Sequence, residues 1–285
     1  MTGVPPSRDT RTGVPPSRDT RTGVPRSRDT RTDDLDLLDV ARDCVARAAA
    51  ALAGADRGEM ARITDRQLGE REVKLAADAA LDRVVASALS GTGIPVVSEE
   101  DAASHATDPA GTAWIVDPLD GSYNFSRGLG PSMISVALWR AGAPVFGVLH
   151  EVDAGRTWWG GPGILSRGEQ GPIAVSTEVA MPRSVVCTGF PSRFPVGDDG
   201  AVQSYVRSIA AFGKVRMLGS AAASLLRVAR GSAEVYFERH IMLWDVAAGL
   251  AIVAGAGGAW TADPLAFDRG CTVVATNGRV QFGAP

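Results

Sequence analysis

The sequence predicts an α/β fold, a layered α+β sandwich, on three observations. Short apolar runs that end at turn residues or acids alternate with longer amphipathic stretches. A Gly/Pro-rich stretch over residues 160–172 divides the chain into two such series. Hydrophobic residues make up 45% of the chain and charged residues 21%, the balance of a globular protein. Strands interleaved with helices pack as layers around a shared core.

The 285-residue chain opens on an internal repeat: residues 2–11 and 12–21 both read TGVPPSRDTR, and residues 22–31 read TGVPRSRDTR. Each copy has one Val as its only large apolar residue, so residues 1–32 are expected to form a disordered tail. Order is expected from about Asp33. Asp34 is placed as the cap of a helix from Leu35 to about Leu52, with Leu35, Leu38, Ala41, Val45 and Ala48 on one face. A second helix is expected over Val73–Leu89, where Leu81, Val84, Val85 and Leu89 are apolar. Buried strands are expected at Ile94–Val97, Trp114–Val116, Ser132–Trp139 and Pro144–Leu149. Past the Gly/Pro-rich stretch come strands at Ser184–Thr188 and Glu234–Phe237, and helices at Val202–Phe212, Ser220–Arg230 and Asp245–Gly255. The expected units are residues 33–178 and 179–285.

Charge and composition exclude several function classes. The net charge is −3, but residues 1–32 carry +4, which leaves −7 on the remainder. So acidic a body argues against a broad nucleic-acid-binding surface. No apolar run approaches the roughly 18 residues of a membrane span, and the N-terminus lacks the apolar stretch of a secretory signal, so the protein is expected to be cytoplasmic. Cys44, Cys187 and Cys271 are far apart and lack zinc-site spacing. His105, His150 and His240 are equally scattered, so the chemistry is expected to rest on carboxylates.

The strongest local signal is Trp114-Ile-Val-Asp117-Pro118-Leu-Asp120-Gly121-Ser122. Here a buried strand ends in two acids three residues apart. Asp at the first position and Pro at the second fit a type I turn, which folds its first and fourth residues together. Two carboxylates held that close stay ionised together only with a cation between them. Oxygen ligands suit a hard ion such as Mg²⁺. The structural alternative is a turn in which Asp117 only caps backbone amides. Two further segments add acids: Ser98-Glu99-Glu100-Asp101 at a strand end, and Trp244-Asp245-Val-Ala-Ala-Gly249, where Asp245 starts a helix. An N-cap role for Asp245 and a ligand role are compatible.

Together these segments resemble the inositol monophosphatase family of metal-dependent phosphatases. The resemblance rests on Ser98–Glu100, on the block from Trp114 to Phe125 and on Trp244–Gly249, in that order. It extends to Thr188-Gly189-Phe190-Pro191 and Gly219-Ser220-Ala221-Ala222. It implies a layered α/β sandwich, commonly dimeric and often inhibited by lithium, that removes phosphate from a small polyol or sugar phosphate. By the same resemblance, Glu99, Asp117 and the Leu119 carbonyl hold one Mg²⁺, and Asp117, Asp120 and Asp245 hold a second. A weaker third ion is implied near Glu99 and Asp78. Ser122 and Asp78 are implied to help deprotonate the attacking water, with Glu99 counted among the catalytic groups. The Gly121 and Ser122 amides are implied to bind phosphate oxygens. Asp120, the Gly219-Ser220-Ala221 loop and Glu238 are implied to contact substrate. The sequence also departs from the pattern. Leu75 stands where the family usually has Thr, Gln67 falls near the place of an upstream Lys, and His150-Glu151-Val152 stands where a Pro is common after the central strand. The chain ends at Pro285, where the family continues into a final helix.

Overall fold

The computed structural model describes residues 30–67, 72–190 and 194–283. Most of the expected tail, residues 1–29, and Pro191 lie outside the described residues, as does the Gln67 side chain.

In chain order the first elements are α1 (Thr30–Gly54), α2 (Arg57–Met60), β1 (Ile63–Gln67), β2 (Glu72–Leu75) and α3 (Ala76–Leu89). Asp34 is not the cap of α1. The helix starts earlier, and the Asp34 carboxylate instead pairs with Arg140, at 2.8 Å. The helix expected over Val73–Leu89 starts only at Ala76. Residues 72–75 alternate charged and apolar, and they pair with β1 as a strand that buries Val73 and Leu75.

Next come β3 (Val96–Ser98), β4 (Thr112–Asp120), α4 (Ser122–Arg127), β5 (Met133–Arg140), β6 (Ala143–Glu151), β7 (Arg156–Gly161), β8 (Ile164–Gly168) and β9 (Gly171–Pro172). β3 to β9 form one sheet in sequence order, parallel between β3 and β4 and antiparallel thereafter. Residues 160–172 are therefore not a divider; they are strands of this sheet. Their glycines are packing requirements: a Cβ on Gly160 would lie 2.1 Å from Ser166 Oγ, and one on Gly161 2.2 Å from the Val145 carbonyl.

The chain continues with β10 (Val185–Thr188), α5 (Asp199–Ala210), β11 (Lys214–Met217), α6 (Ala221–Ala229), β12 (Val235–Ile241), α7 (Leu243–Gly255), β13 (Ala259–Asp263) and β14 (Cys271–Thr276). The second sheet has the order β11-β10-β12-β14-β13.

Side-chain alternation assigns the layers. Along β4, Trp114 and Val116 face a core with Leu38, Val45, Leu81 and Val85 of α1 and α3. Their neighbours Ala113 and Ile115 face the opposite core, built with Leu225 of α6, Leu250 of α7 and Tyr236 of β12. On the far side of the second sheet, Val235 and Phe237 pack with Tyr205 of α5. The result is a five-layer stack: α1 and α3, first sheet, α6 and α7, second sheet, α5. The C-terminal end of β4 and the start of α7 meet at one edge of the middle layer.

Candidate active site

The two acids that end β4 are separated by an irregularity rather than a type I turn. Asp117 pairs with Ser135 and Asp120 with Met133, and the register shifts between them. Asp117 Oδ1 accepts the Leu119 N–H at 2.9 Å. Pro118 has no N–H to give to the ladder, which fits the break in pairing between Asp117 and Asp120, although the strand runs on to Asp120. Gly121 then turns the chain with φ of 84°. A Cβ there would lie 2.9 Å from the Pro131 carbonyl, so a side chain is excluded on two counts.

Other elements bring their ends to the same point as β4. β3 runs into Glu99, and α7 carries Asp245 in its first turn. Asp245 is not the N-cap, since the helix starts at Leu243; its carboxylate accepts the Met242 N–H at 3.1 Å. Glu99, Asp117 and Asp245 each offer one oxygen, all within 4.8 Å of one another. One oxygen of Asp120 faces the neighbouring loop: its Oδ2 accepts the Ser220 hydroxyl at 2.5 Å and the Ala222 N–H at 2.7 Å. Ser220 caps α6 by accepting the Ala223 N–H at 3.1 Å. Asp120 thus joins the first sheet to the loop Gly219-Ser220-Ala221.

Beside the cluster, Ser122 Oγ lies 2.8 Å from Asp78 Oδ1 and 2.8 Å from the Leu119 carbonyl. Asp78 is buried, and its other oxygen accepts the Leu75 N–H at 2.6 Å at the start of α3. Leu75 needs no hydroxyl to serve there, because only its backbone is used. Asn124 donates to the Leu218 and Pro131 carbonyls, at 2.7 and 3.0 Å, which anchors the substrate-loop candidate. Glu238, which lines the same cleft, is buried and accepts the Tyr236 hydroxyl at 3.0 Å.

All the sequence-predicted site residues except Asp78 line one cleft of about 300 Å³; Asp78 sits beneath Ser122. The structure adds Lys74, which the motif reading missed. Its Nζ lies 2.6 Å from Glu99 Oε1 and 2.6 Å from Glu100 Oε1. The alternating Glu72-Val73-Lys74-Leu75 pattern was the available signal: it turns Lys74 away from the core. His105 is also nearby, stacked on Trp244 of the cleft wall at 4.5 Å, with Nε2 2.9 Å from the Ser98 carbonyl.

The electrostatics follow from crowding acids in a dry place. Burial pushes Asp117 and Asp245 well above the usual carboxylate range, and Glu99 and the other acids push the same way. Burial lifts Asp78 to about 7 against its hydrogen bonds from Leu75 and Ser122. It lifts Asp120 to about 6 against bonds from Ser220 and Ala222. Glu238 is lifted to about 8 by burial, the Tyr236 hydroxyl opposing. For Lys74, burial opposes the charge, but Glu99 and Glu100 outweigh it and hold the ammonium above the usual lysine range. Three mutually close, all-oxygen ligands whose charges repel are a donor set that fits a hard divalent cation.

Comparison with known proteins agrees with this geometry. The model of the inositol monophosphatase family matches residues 33–276. The chain is 32% identical over 232 residues to an inositol-1-monophosphatase of Rhizobium meliloti, covering 80% of this chain and 85% of that one. It is 34% identical over 172 residues to an inositol-1-monophosphatase of Synechocystis, where the match spans only 59% of either chain. Among solved structures, the inositol monophosphatase from Anabaena superposes with a TM-score of 0.71 at 28% identity, covering 87% of this chain and 93% of that one. With the family pattern running through nearly the whole described fold and its acids gathered at one cleft, the chain belongs to the inositol monophosphatase family.

Proposed function

We propose that this protein is a Mg²⁺-dependent phosphatase that hydrolyses the phosphate monoester of a small polyol or sugar, with inositol monophosphate as the default substrate. The observation that carries the reading is the triad of carboxylates Glu99, Asp117 and Asp245 beside the Ser122–Asp78 pair. The family is metal-dependent, and in this chain those three acids would hold the ion. When bound, Mg²⁺ supplies charge neutralisation for the phosphate and makes water a better nucleophile.

The chain's own groups do the rest. Asp78 fixes the Ser122 hydroxyl at 2.8 Å, so that a proton taken up by Ser122 can pass to a carboxylate whose affinity lies near neutrality. The Gly121 and Ser122 backbone amides, in residues that line the cleft, would bind phosphate oxygens. Asp120 locks the Gly219-Ser220-Ala221 loop, and Glu238, in the same cleft, supplies an acceptor for substrate hydroxyls. A polar cleft of about 300 Å³ suits a single phosphorylated ring better than a polymer. We read the protein as a homodimer by its likeness to the family. We read it as cytoplasmic because all three cysteines are buried free thiols. No helix among the described residues is long and apolar enough to cross a membrane.

The test is phosphate release from inositol 1-phosphate, histidinol phosphate, fructose 1,6-bisphosphate and adenosine 3′,5′-bisphosphate, each with Mg²⁺ and with EDTA. Metal-dependent turnover is expected, fastest with the inositol ester. No turnover of any of the four by folded, Mg²⁺-supplied protein would replace this reading with a non-catalytic, regulatory one.

A further inference from the structure

We propose that the Lys74 ammonium is a built-in cation of the carboxylate cluster, filling between Glu99 and Glu100 a place that would otherwise take a divalent ion. The inference rests on reading Glu99, Asp117 and Asp245 as a divalent-cation site.

The backbone forces the placement. In β2 the side chains alternate, so burying Val73 and Leu75 turns Glu72 and Lys74 to the cleft side. β3 ends against the same spot and delivers two consecutive acids. Lys74 Nζ lies 2.6 Å from one oxygen of each. None of the three side chains is free in solvent: exposures are 19% for Lys74, 32% for Glu99 and 17% for Glu100. Two partly buried carboxylates converging on one positive centre is the arrangement a cation site needs, and here the centre is covalently part of the chain.

Two consequences follow. Glu99 is shared: its Oε1 accepts from the ammonium at 2.6 Å, and the same carboxylate offers one oxygen to the cluster with Asp117 and Asp245. Glu100, which is no member of the close triad, accepts from the same ammonium and so has a cationic partner without metal. Removing the ammonium leaves two neighbouring, partly buried acids uncompensated, and such a pair recruits a cation. Lys74 therefore limits how many divalent ions the cluster takes up.

The experiment is Mn²⁺ binding to the full-length protein, counted from the electron paramagnetic resonance signal of free Mn²⁺ and by calorimetry. Wild type, Lys74→Met, Lys74→Arg and the double variant Lys74→Met/Glu100→Gln are compared, with Lys74→Gln in place of the Met variant if that one fails to fold. Lys74→Met is expected to bind one Mn²⁺ more per chain than wild type. Lys74→Arg is expected to keep the wild-type count, and the double variant to lose the extra ion. An unchanged count in Lys74→Met, with or without tighter binding, overturns the inference alone. A folded wild type that binds no Mn²⁺ overturns the metal-site reading, and this inference with it.

Discussion

Asp117→Asn should make the metal-free protein more stable than wild type and remove the further stabilisation that Mg²⁺ gives. Asp117 is 1% exposed, and its ligand oxygen lies within 4.8 Å of those of Glu99 and Asp245. Like charges at that spacing repel by about 3.5 kcal/mol per pair at an effective dielectric of about 20. Proton uptake by the crowded acids relieves part of this, so the neutral amide should recover about 1–3 kcal/mol. The local backbone should survive, because the Asn carbonyl can still accept the Leu119 N–H now held at 2.9 Å. At roughly 2–4 °C per kcal/mol for a chain of this size, Tm in EDTA should rise by about 2–12 °C. With Mg²⁺ at about a hundred times its Kd, wild type should gain about 2.7 kcal/mol, which the variant forgoes. Thermal melts across a Mg²⁺ titration read both signs at once. A lower Tm for the variant in EDTA would refute repulsion as the dominant force at Asp117. An equal Mg²⁺-induced rise in both proteins would refute its role in holding the ion.

Two further outcomes are expected. Ser122→Ala should lower kcat by about 10²–10⁴ if the hydroxyl carries a proton, while the Mg²⁺-induced rise in Tm persists; an unchanged kcat would make the Ser122–Asp78 contact structural only. The metal-free protein should also lose stability as pH rises. Asp78, Asp120 and Glu238 are lifted to about 7, about 6 and about 8 in the fold, from ordinary values of 3.8 to 4.5. The folded state therefore holds more protons than the unfolded one over that window, and the stability they contribute, complete below about pH 4, is lost through about pH 6–8. Melts in EDTA at about pH 5, 7 and 8.5 should show a falling contribution, and Mg²⁺ should restore more Tm at the alkaline end. A metal-free Tm that climbs steadily to pH 8.5 would contradict this.

Much of the fold was legible because it is local. Apolar alternation in Trp114–Val116 and helical spacing in Leu81, Val85 and Leu89 are set by each segment's own pattern, and the structure keeps them as β4 and α3. The acid motifs could be read for the same reason: Asp117 and Asp120 end a strand, Glu99 follows another, and Asp245 opens a helix. Local reading failed where the outcome depended on a distant neighbour. Residues 160–172 look like a linker because they are glycine-rich, yet those glycines are what lets β7 and β8 pack against β6 and each other. Residues 73–75 look helical until β1 is there to pair with them.

The identity of the acids, their order and their spacing within each motif are thus properties of the amino-acid sequence itself. Which groups meet is a tertiary matter. Lys74 reaches Glu99 across 25 residues, Ser122 reaches Asp78 across 44, and Ser220 reaches Asp120 across 100. No periodicity encodes such pairings. They arise because burying the apolar faces of two sheets against α6 and α7 stacks the layers in one way, and that stacking brings the ends of β2, β3, β4, α6 and α7 to a single cleft.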